Sequence, residues 1–454
     1  MDIPASDFES LRSRVTGTVL ARGDDGITAA ATGANLAATY DPDAVVVAAS
    51  EEDVQEAVRF AAQHHLHVHI QATGHGAEGA LDGGLLLLTS RLDELSIDPG
   101  ARVATIGAGV RWGAVVEAAS AHGLLPIIGS SPTVGAVGYT LGGGLGPLAR
   151  SHGFSSDYVR SFRVVTGEGD VVVADADHHP ELFWALRGGK AGFGVVTSMD
   201  FGLVDLAEIY GGSLMIDTPD IEKVLRGWIA WTADAPADVT TSVSIVRFPP
   251  LDTVPPPFRG KTLMALRFAD PGHHGERNAE PLRALATPLS DLLGDMPTSK
   301  IGLIHNDPTD PSPAWVMGLA FRPLDHDFVT ALIGAVGPDE QSTLVAVELR
   351  HIGNRTAQDV PEGSAVGGRD AQFVLNSVGI IHPGASPEQI SADFDRVKSA
   401  VGSWTLPVTT INFAGHPTPA QYPASWPADI FARLEAARAE YDPSGRFSAQ
   451  PDAG

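Results

Sequence analysis

A strand-like run, Leu66-His67-Val68-His69-Ile70, delivers the chain into Gln71-Ala72-Thr73-Gly74-His75-Gly76, where two glycines bracket one histidine. Glycine lets a backbone turn sharply and approach a ligand closely, and successive outward N–H groups at such a turn form a concavity for anions. A tight turn with an incidental histidine is the other reading of the hexapeptide. Upstream, Val45-Val46-Val47 behind Pro42 reads as a short buried strand. Ser50 and Asp53 form a capping box, and Val54, Ala57, Val58 and Ala61 recur at helical spacing as far as His64-His65. The result is a β-α-β unit with the glycine loop at the carboxyl end of a strand, where open α/β sheets bind ligands. Leu85 to Thr89 reads as a further buried strand.

Three more glycine-rich stretches follow. Gly107-Ala-Gly-Val-Arg-Trp-Gly113 follows the strand Val103 to Ile106 and leads a helix from Trp112 to Ser120. It imitates a dinucleotide fingerprint, but the acidic ribose partner expected some twenty positions on is absent, which argues against a nicotinamide site. Gly129 to Gly146 is dense in glycine and poor in charge, so it suits neither a helix nor a solvated linker. A backbone laid against a large planar or phosphorylated ligand explains it, as does a stack of tight turns. The last, Arg187-Gly-Gly-Lys-Ala-Gly-Phe193-Gly-Val-Val-Thr197, follows a helix from Pro180 and enters a strand. Between them, Gly167-Glu-Gly separates two valine-rich runs as a hairpin would.

Composition narrows the partners. A net charge of −25 argues against nucleic acid and anionic membrane, which both require a basic face. With no cysteine, disulfides, thiolate metal sites and thiol catalysis are excluded. His67 and His69 share a strand face, but no carboxylate at useful spacing completes a ligand set, so no metal site is expected. No apolar signal core and no run of membrane-spanning length is present, so a cytoplasmic protein is expected. A monomer and a homo-oligomer are both open. At 454 residues, two domains are the prior.

Gly74-His75, Pro132-Thr-Val-Gly135 with Leu141-Gly-Gly-Gly-Leu-Gly146, Leu182-Phe-Trp-Ala-Leu-Arg-Gly-Gly189 and Phe193-Gly-Val-Val-Thr197 occur in the order and spacing of one known family. The chain resembles the FAD-linked oxidases of the vanillyl-alcohol oxidase superfamily, in the berberine-bridge-enzyme-like group. Ile411-Asn412-Phe413 and the segment from Arg433 to Phe447 are similar to the family's closing stretch. The resemblance implies an α+β protein in three segments. Residues 1–205 would form a two-part FAD-binding domain of PCMH/VAO type. Residues 206–404 would form an α+β substrate domain on an antiparallel sheet, and 405–454 would return to the FAD side. It implies covalent attachment of His75 to the flavin 8α-methyl carbon, with Ala72, Thr73, Gly74 and Gly76 around the pyrophosphate. Further FAD contacts would come from Ser131, Pro132, Thr133, Gly135, Gly138, Gly142, Gly143, Gly144 and Gly146, from Gly194, Val195 and Val196, and from Asn412. Bicovalent relatives carry a cysteine where Ser131 stands, so no cysteinyl bond is expected. Gln71 stands where many relatives have arginine, Gly192 where many have asparagine, and Phe413 where some have a tyrosine.

The later texture is α+β, and Thr343-Leu-Val-Ala-Val-Glu348-Leu-Arg350-His351 is its informative strand. Alternation places Glu348 and Arg350 on one face, as a surface ion pair or as part of a site. The resemblance favours a site. It implies Glu348 as the polar group nearest the substrate, Arg350 tuning its charge, Tyr139 as a second donor and Asn412 at the ring edge. The implied activity takes hydride from a C–H beside oxygen or nitrogen of a small organic substrate or natural product, with O2 as electron acceptor. An oxidative cyclase or dehydrogenase of secondary metabolism is the alternative within catalysis. A flavoprotein that sequesters a compound without turnover is the alternative outside it.

Overall fold

The computed structural model describes residues 3–447 except 78, 416, 418 and 420. The expected β-α-β unit is built from Ala44–Val47, the helix Glu51–Gln63 and Val68–Gln71. Leu85–Leu88 lies between the two strands and runs parallel to both, while Thr18–Ala21 closes the four-stranded sheet antiparallel. The helix cap forms only in half. The Ser50 hydroxyl accepts from the Asp53 N–H at 3.2 Å, but the buried Asp53 carboxylate accepts from the N–H groups of Thr16, Gly17 and Ala49. The acid thus ties the helix start to the N-terminal strand instead of to Ser50.

A second, antiparallel sheet orders Val171–Ala174, Val159–Val165, Val195–Gly202, Val103–Gly107 and Leu95–Asp98. The helices Trp112–Ser120 and Pro180–Leu186 form over the residues their apolar spacing predicts. Trp112, fully buried, packs edge-on against Phe201 and Tyr139. Leu434 and Ala437 of the helix Ala428–Tyr441, together with Phe447, join this same core, and the Val68 N–H donates to the Arg446 carbonyl at 2.8 Å. The chain's last described stretch therefore packs with its beginning.

Residues 208–380 supply an eight-stranded antiparallel sheet. Its order is Ser290–Asp291, Glu208–Ile216, Thr262–Asp270, Thr240–Arg247, Leu344–His351, Phe373–Ile380 and Ala314–Phe321, with Gly294–Pro297 alongside Glu208–Ile216. Period-2 alternation divides its faces. Val243, Ile245, Leu266, Val347 and Leu349 join a core with Trp228, Phe328 and Ile390 from the covering helices. Ser242, Ser244, Arg267, Glu348 and Arg350, one step out of phase, point away from those helices. Two part-sheets on one side and an antiparallel sheet on the other make the protein α+β. No helix among the described residues is long and apolar enough to cross a membrane.

One local expectation fails. Ala136–Thr140, inside the glycine-dense stretch, is a short helix. Ala136 and Val137 are buried and the Thr140 hydroxyl donates back to the Ala136 carbonyl at 2.8 Å, so burial of one face outweighs poor propensity.

Candidate active site

A cleft of about 2200 Å³ runs between the glycine-rich segments and the helix-free face of the antiparallel sheet. The loop carrying His75 forms one wall. Gly74 sits at φ +68°, a left-handed conformation that suits glycine, and a Cβ there would lie 2.7 Å from the Gly33 Cα. That approach is locked by two backbone bonds, Ala34 N–H to the Thr73 carbonyl (2.9 Å) and Asn35 N–H to the Gly74 carbonyl (3.1 Å). The Asn35 amide donates to the carbonyls of Ala77 and Ala314, and its oxygen accepts from the Ala314 N–H. It thereby pins the histidine loop to the antiparallel sheet. Residues 33–35 carry no periodicity or motif, and sequence reasoning passed over them.

Gly135 faces this loop from the second glycine stretch, with the Thr73 and Ala72 side chains 3.5 Å from where its Cβ would be. Gly76 and Gly138 look into open space within the cleft. Ala72, Thr73, Ser131, Thr133, Gly194, Val196 and Asn412 also line it. Six expected contacts do not. Pro132 and Val195 face away, Val195 into the core. Gly142 packs against Asn412, Gly143 against Phe154 and Val366, and Gly144 against Tyr139 and Ser155, while Gly146 lies on a small cavity behind Arg350. Those glycines allow close packing that holds the wall, which a sequence pattern cannot distinguish from ligand contact.

The His75 side chain opens onto the cleft, and the His75 backbone N–H donates to the Thr73 hydroxyl at 3.4 Å. The side chain is exposed to the cleft, and partial desolvation by the surrounding walls holds its pKa below the ordinary imidazole value; Asp307 opposes and Lys190 pushes the same way. His75 is therefore a neutral imidazole near pH 7 with a lone pair to offer. Ser131 shares a 3.1 Å hydroxyl contact with Thr133, and the neighbouring Ser130 donates to Asp307 at 2.5 Å across the cleft. Asn412 donates to the Tyr139 carbonyl (2.7 Å) and accepts from the Lys190 ammonium (2.7 Å). The Tyr139 hydroxyl is buried, and that burial raises its pKa above the ordinary phenol value against Arg350 and the Ser155 hydroxyl, which lower it. It is a donor, not an acid, at neutral pH.

Glu348 and Arg350 do come together, in a larger cluster than the sequence suggested. One Glu348 oxygen accepts from the Ser242 hydroxyl (2.7 Å) and from Arg267 (2.9 Å); the other accepts from two nitrogens of Arg350 (2.8 and 2.7 Å). His305 approaches the first oxygen at 3.2 Å without hydrogen-bond alignment. Burial alone would raise the Glu348 pKa, but Arg350 and Arg267 outweigh it and hold the carboxyl well below the usual range. Glu348 is thus a fixed, saturated anion and a poor proton acceptor. Arg350 also stacks over Phe413 at 5.1 Å. Sequence reasoning missed Arg267, His305 and Asp307. The register that sets Arg267 beside Ser242 is the signal that finds it, and it exists only in the paired sheet.

Residues 42–175 match the family described as the FAD binding domain. The chain is 27% identical over 424 residues to (R)-6-hydroxynicotine oxidase of Paenarthrobacter nicotinovorans, covering 89% of this chain and 90% of that protein. It is 27% identical over 305 residues to YgaK, an uncharacterized FAD-linked oxidoreductase of Bacillus subtilis (strain 168), a match spanning 65% of each chain. Among solved structures, 6-hydroxy-D-nicotine oxidase from Arthrobacter nicotinovorans superposes with a TM-score of 0.82 at 24% identity, covering 97% of this chain and 98% of that one. BBE-like 1 of Physcomitrella patens gives 0.83 at 20% identity over 97% of both chains. The glucooligosaccharide oxidase of Acremonium strictum, described with a 6-S-cysteinyl, 8α-N1-histidyl FAD, gives 0.81 at 20% identity over 98% of this chain and 100% of that one.

The cleft with its glycine walls and these matches define an FAD-binding oxidoreductase. Residues 42–175 carry the FAD binding domain, and the chain is similar over most of its length to FAD-linked oxidoreductases and oxidases. FAD fits the residues present. Gly76 and Gly138 leave room for a flat ligand, and the buried Gln71 carboxamide oxygen has no hydrogen-bond partner at this wall.

Proposed function

We propose that the protein is an oxidase with FAD attached through His75, oxidising a small organic molecule held between the flavin and the antiparallel sheet. The observation that carries this reading is one continuous cleft. A neutral histidine on a glycine loop opens onto one side of it, and the buried Glu348–Arg267–Arg350 cluster lies on the other. The bound flavin supplies the redox chemistry, as hydride acceptor and then as electron donor to O2. Ala72–Gly76, Ser131, Thr133, Gly135, Gly138, Gly194 and Val196 are the residues that would hold it.

The protein's own part is to orient, to exclude water and to manage charge. Glu348 fixes Arg267 and Arg350 in place, so their donors face the substrate with fixed geometry. It does not itself take the substrate proton, because two guanidiniums occupy its oxygens. His305, its pKa lowered by burial against the pull of Glu348, is the neutral group on this wall able to accept one.

The reading is tested by anaerobic mixing with alcohols, sugars, amines and phenolics. One class should bleach the flavin, and admission of O2 should restore the colour with stoichiometric hydrogen peroxide. Spectral binding without bleaching by any class would support a sequestering flavoprotein. Rapid bleaching by NADH or NADPH would make the protein a reductase.

A further inference from the structure

On the helix-free face of the antiparallel sheet, the chemistry changes from one cross-strand row to the next. Strand pairing sets Ser244, Glu348 and Asn376 side by side in one row. Two residues further along the same strands, about 7 Å away, the row reads Val246, Ala346, Val378 and Val316. All four are half-buried and line the cleft, whereas their chain neighbours Ile245 and Val347 belong to the core beneath the helices. Beyond that row Ala314 pairs with Ile380, and Phe248 meets Phe258 with 5.5 Å between ring centres. These four residues line the cleft as well. Arg247, next to Val246, commits its guanidinium to the carbonyls of Leu344, Val336 and Gly337.

Where the cleft meets solvent it is again apolar. Leu292, Leu251 and Leu303 are the three most exposed large apolar side chains among the described residues, and all three line this cleft. Single exposed leucines need no explanation, but a group of them on one cleft marks a binding surface. In the polar part, two donors lack a protein acceptor: the Arg267 Nε–H, and the hydroxyl of Ser244, a residue only 1% exposed. Both residues line the cleft. A ligand oxygen satisfies them, whereas an ammonium, which only donates, cannot satisfy the guanidinium. A sugar chain laid over the Val246 to Val316 row would lose water from its hydroxyls and find no partner for them there.

We propose that the substrate is an apolar alcohol: its carbinol oxygen accepts from Arg267 and Ser244, and its hydrocarbon body lies over Val246, Ala346, Val378 and Val316. The proposal deepens the oxidase reading and rests on it. Oxidation breaks the carbinol C–H and O–H bonds and leaves a carbonyl. The hydride goes to the flavin and the proton to a base on the wall, and O2 carries the two electrons away as hydrogen peroxide.

Straight-chain methyl ketones carry the same oxygen and have no carbinol to oxidise, so they read binding alone. Calorimetric titration of the holoprotein with the ketones of five, seven and nine carbons is the test. Each added methylene buried on the row should lower Kd about fourfold. The protonated amine of the seven-carbon skeleton should bind about tenfold more weakly than its ketone, and cellobiose should give no binding heat. Val378→Thr and, separately, Val246→Thr keep a β-branched side chain and put a hydroxyl into the row. Each should raise Kd for the nine-carbon ketone about fivefold or more and leave the five-carbon value nearly unchanged. A Kd independent of chain length, tighter binding of cellobiose than of any ketone, or a series unmoved in both variants would overturn the proposal. Anaerobic bleaching of the same protein separates it from the reading beneath it. Bleaching by a sugar with a flat ketone series keeps the oxidase reading and overturns the apolar alcohol. A sloped series with no alcohol bleaching the flavin overturns the oxidase reading, and the alcohol as its substrate, while leaving the apolar row a ligand site.

Discussion

Replacing Glu348 by glutamine keeps the side chain's shape and removes its charge. The Glu348, Arg267 and Arg350 side chains retain only 7%, 11% and 10% of their exposure, so solvent cannot take over as counter-charge. The carboxylate accepts four hydrogen bonds from Ser242, Arg267 and Arg350; an amide accepts through one oxygen and points N–H groups at donors on the other side. Removing one partner of a buried ion pair costs about 3–5 kcal/mol, because the remaining charge is stranded. Set against a total stability of about 5–15 kcal/mol, that is a large loss. For a cooperative unit of about 200 residues it corresponds to a Tm lower by roughly 6–20 °C. Thermal and denaturant unfolding at pH 7 read it directly. Arg267→Met in the Glu348→Gln background should recover part of the loss, because one stranded cation is gone. The pH dependence has a definite sign. The folded pKa is depressed, so the contribution is present above the unfolded carboxylate value of about 4.3 and is lost only as pH falls toward the folded one. Between pH 6 and 9 the difference between wild type and variant should therefore stay constant. A Glu348→Gln protein within about 2 °C of wild type would refute the ionised, doubly paired carboxylate.

Ser131→Cys places a thiol on the cleft wall, and a thiol ionises near pH 8.5, far more readily than a hydroxyl. It should form a second flavin bond or be shielded by the ring; a freely reactive thiol in folded holoprotein would place residue 131 away from it. Gly74→Ala should lower both Tm and flavin content, with about 1–3 kcal/mol from the left-handed backbone alone and more from the clash with Gly33; unchanged flavin content would show the loop to be pliable. Buried His351, stacked on Phe373 and 3.0 Å from Arg150, has its pKa pushed down to about 3, first by burial and then by Arg150. The unfolded chain takes up that proton first, so below about pH 6.5 this histidine costs about 1.4 kcal/mol of stability per pH unit. His351→Gln should flatten the acid limb of a stability–pH profile, and equal slopes would mean the ring is protonated in the fold.

The sequence carried the elements whose signals are local. The helix Trp112–Ser120 and the helix Pro180–Leu186 appear over the residues their apolar spacing marked, and the β-α-β unit delivers His75 to a cleft as its glycines imply. Glu348 and Arg350 were legible as one face of a strand because alternation is a property of the strand alone. What completes their cluster was not. Arg267 lies 81 residues before Glu348 and meets it only through strand pairing, and His305 directly follows a separate 3-10 segment, Thr298–Ile304. That company makes Glu348 a carboxylate held by two guanidiniums, which its place on one strand does not show. Likewise, Gly142, Gly143 and Gly144 looked like ligand contacts, yet they admit Asn412, Val366 and Tyr139. A glycine marks a close approach; the sequence does not say what approaches.

The tether at His75 is the point on which the functional account turns, and acid precipitation of the native protein tests it. The account predicts that the yellow flavin stays with the precipitated protein and that proteolysis yields one flavin-bearing peptide, containing Gln71–Gly76. His75→Ala should still bind FAD through the glycine walls but release it into the acid supernatant. Flavin found entirely in the supernatant of the native protein, or on a peptide lacking His75, would contradict it.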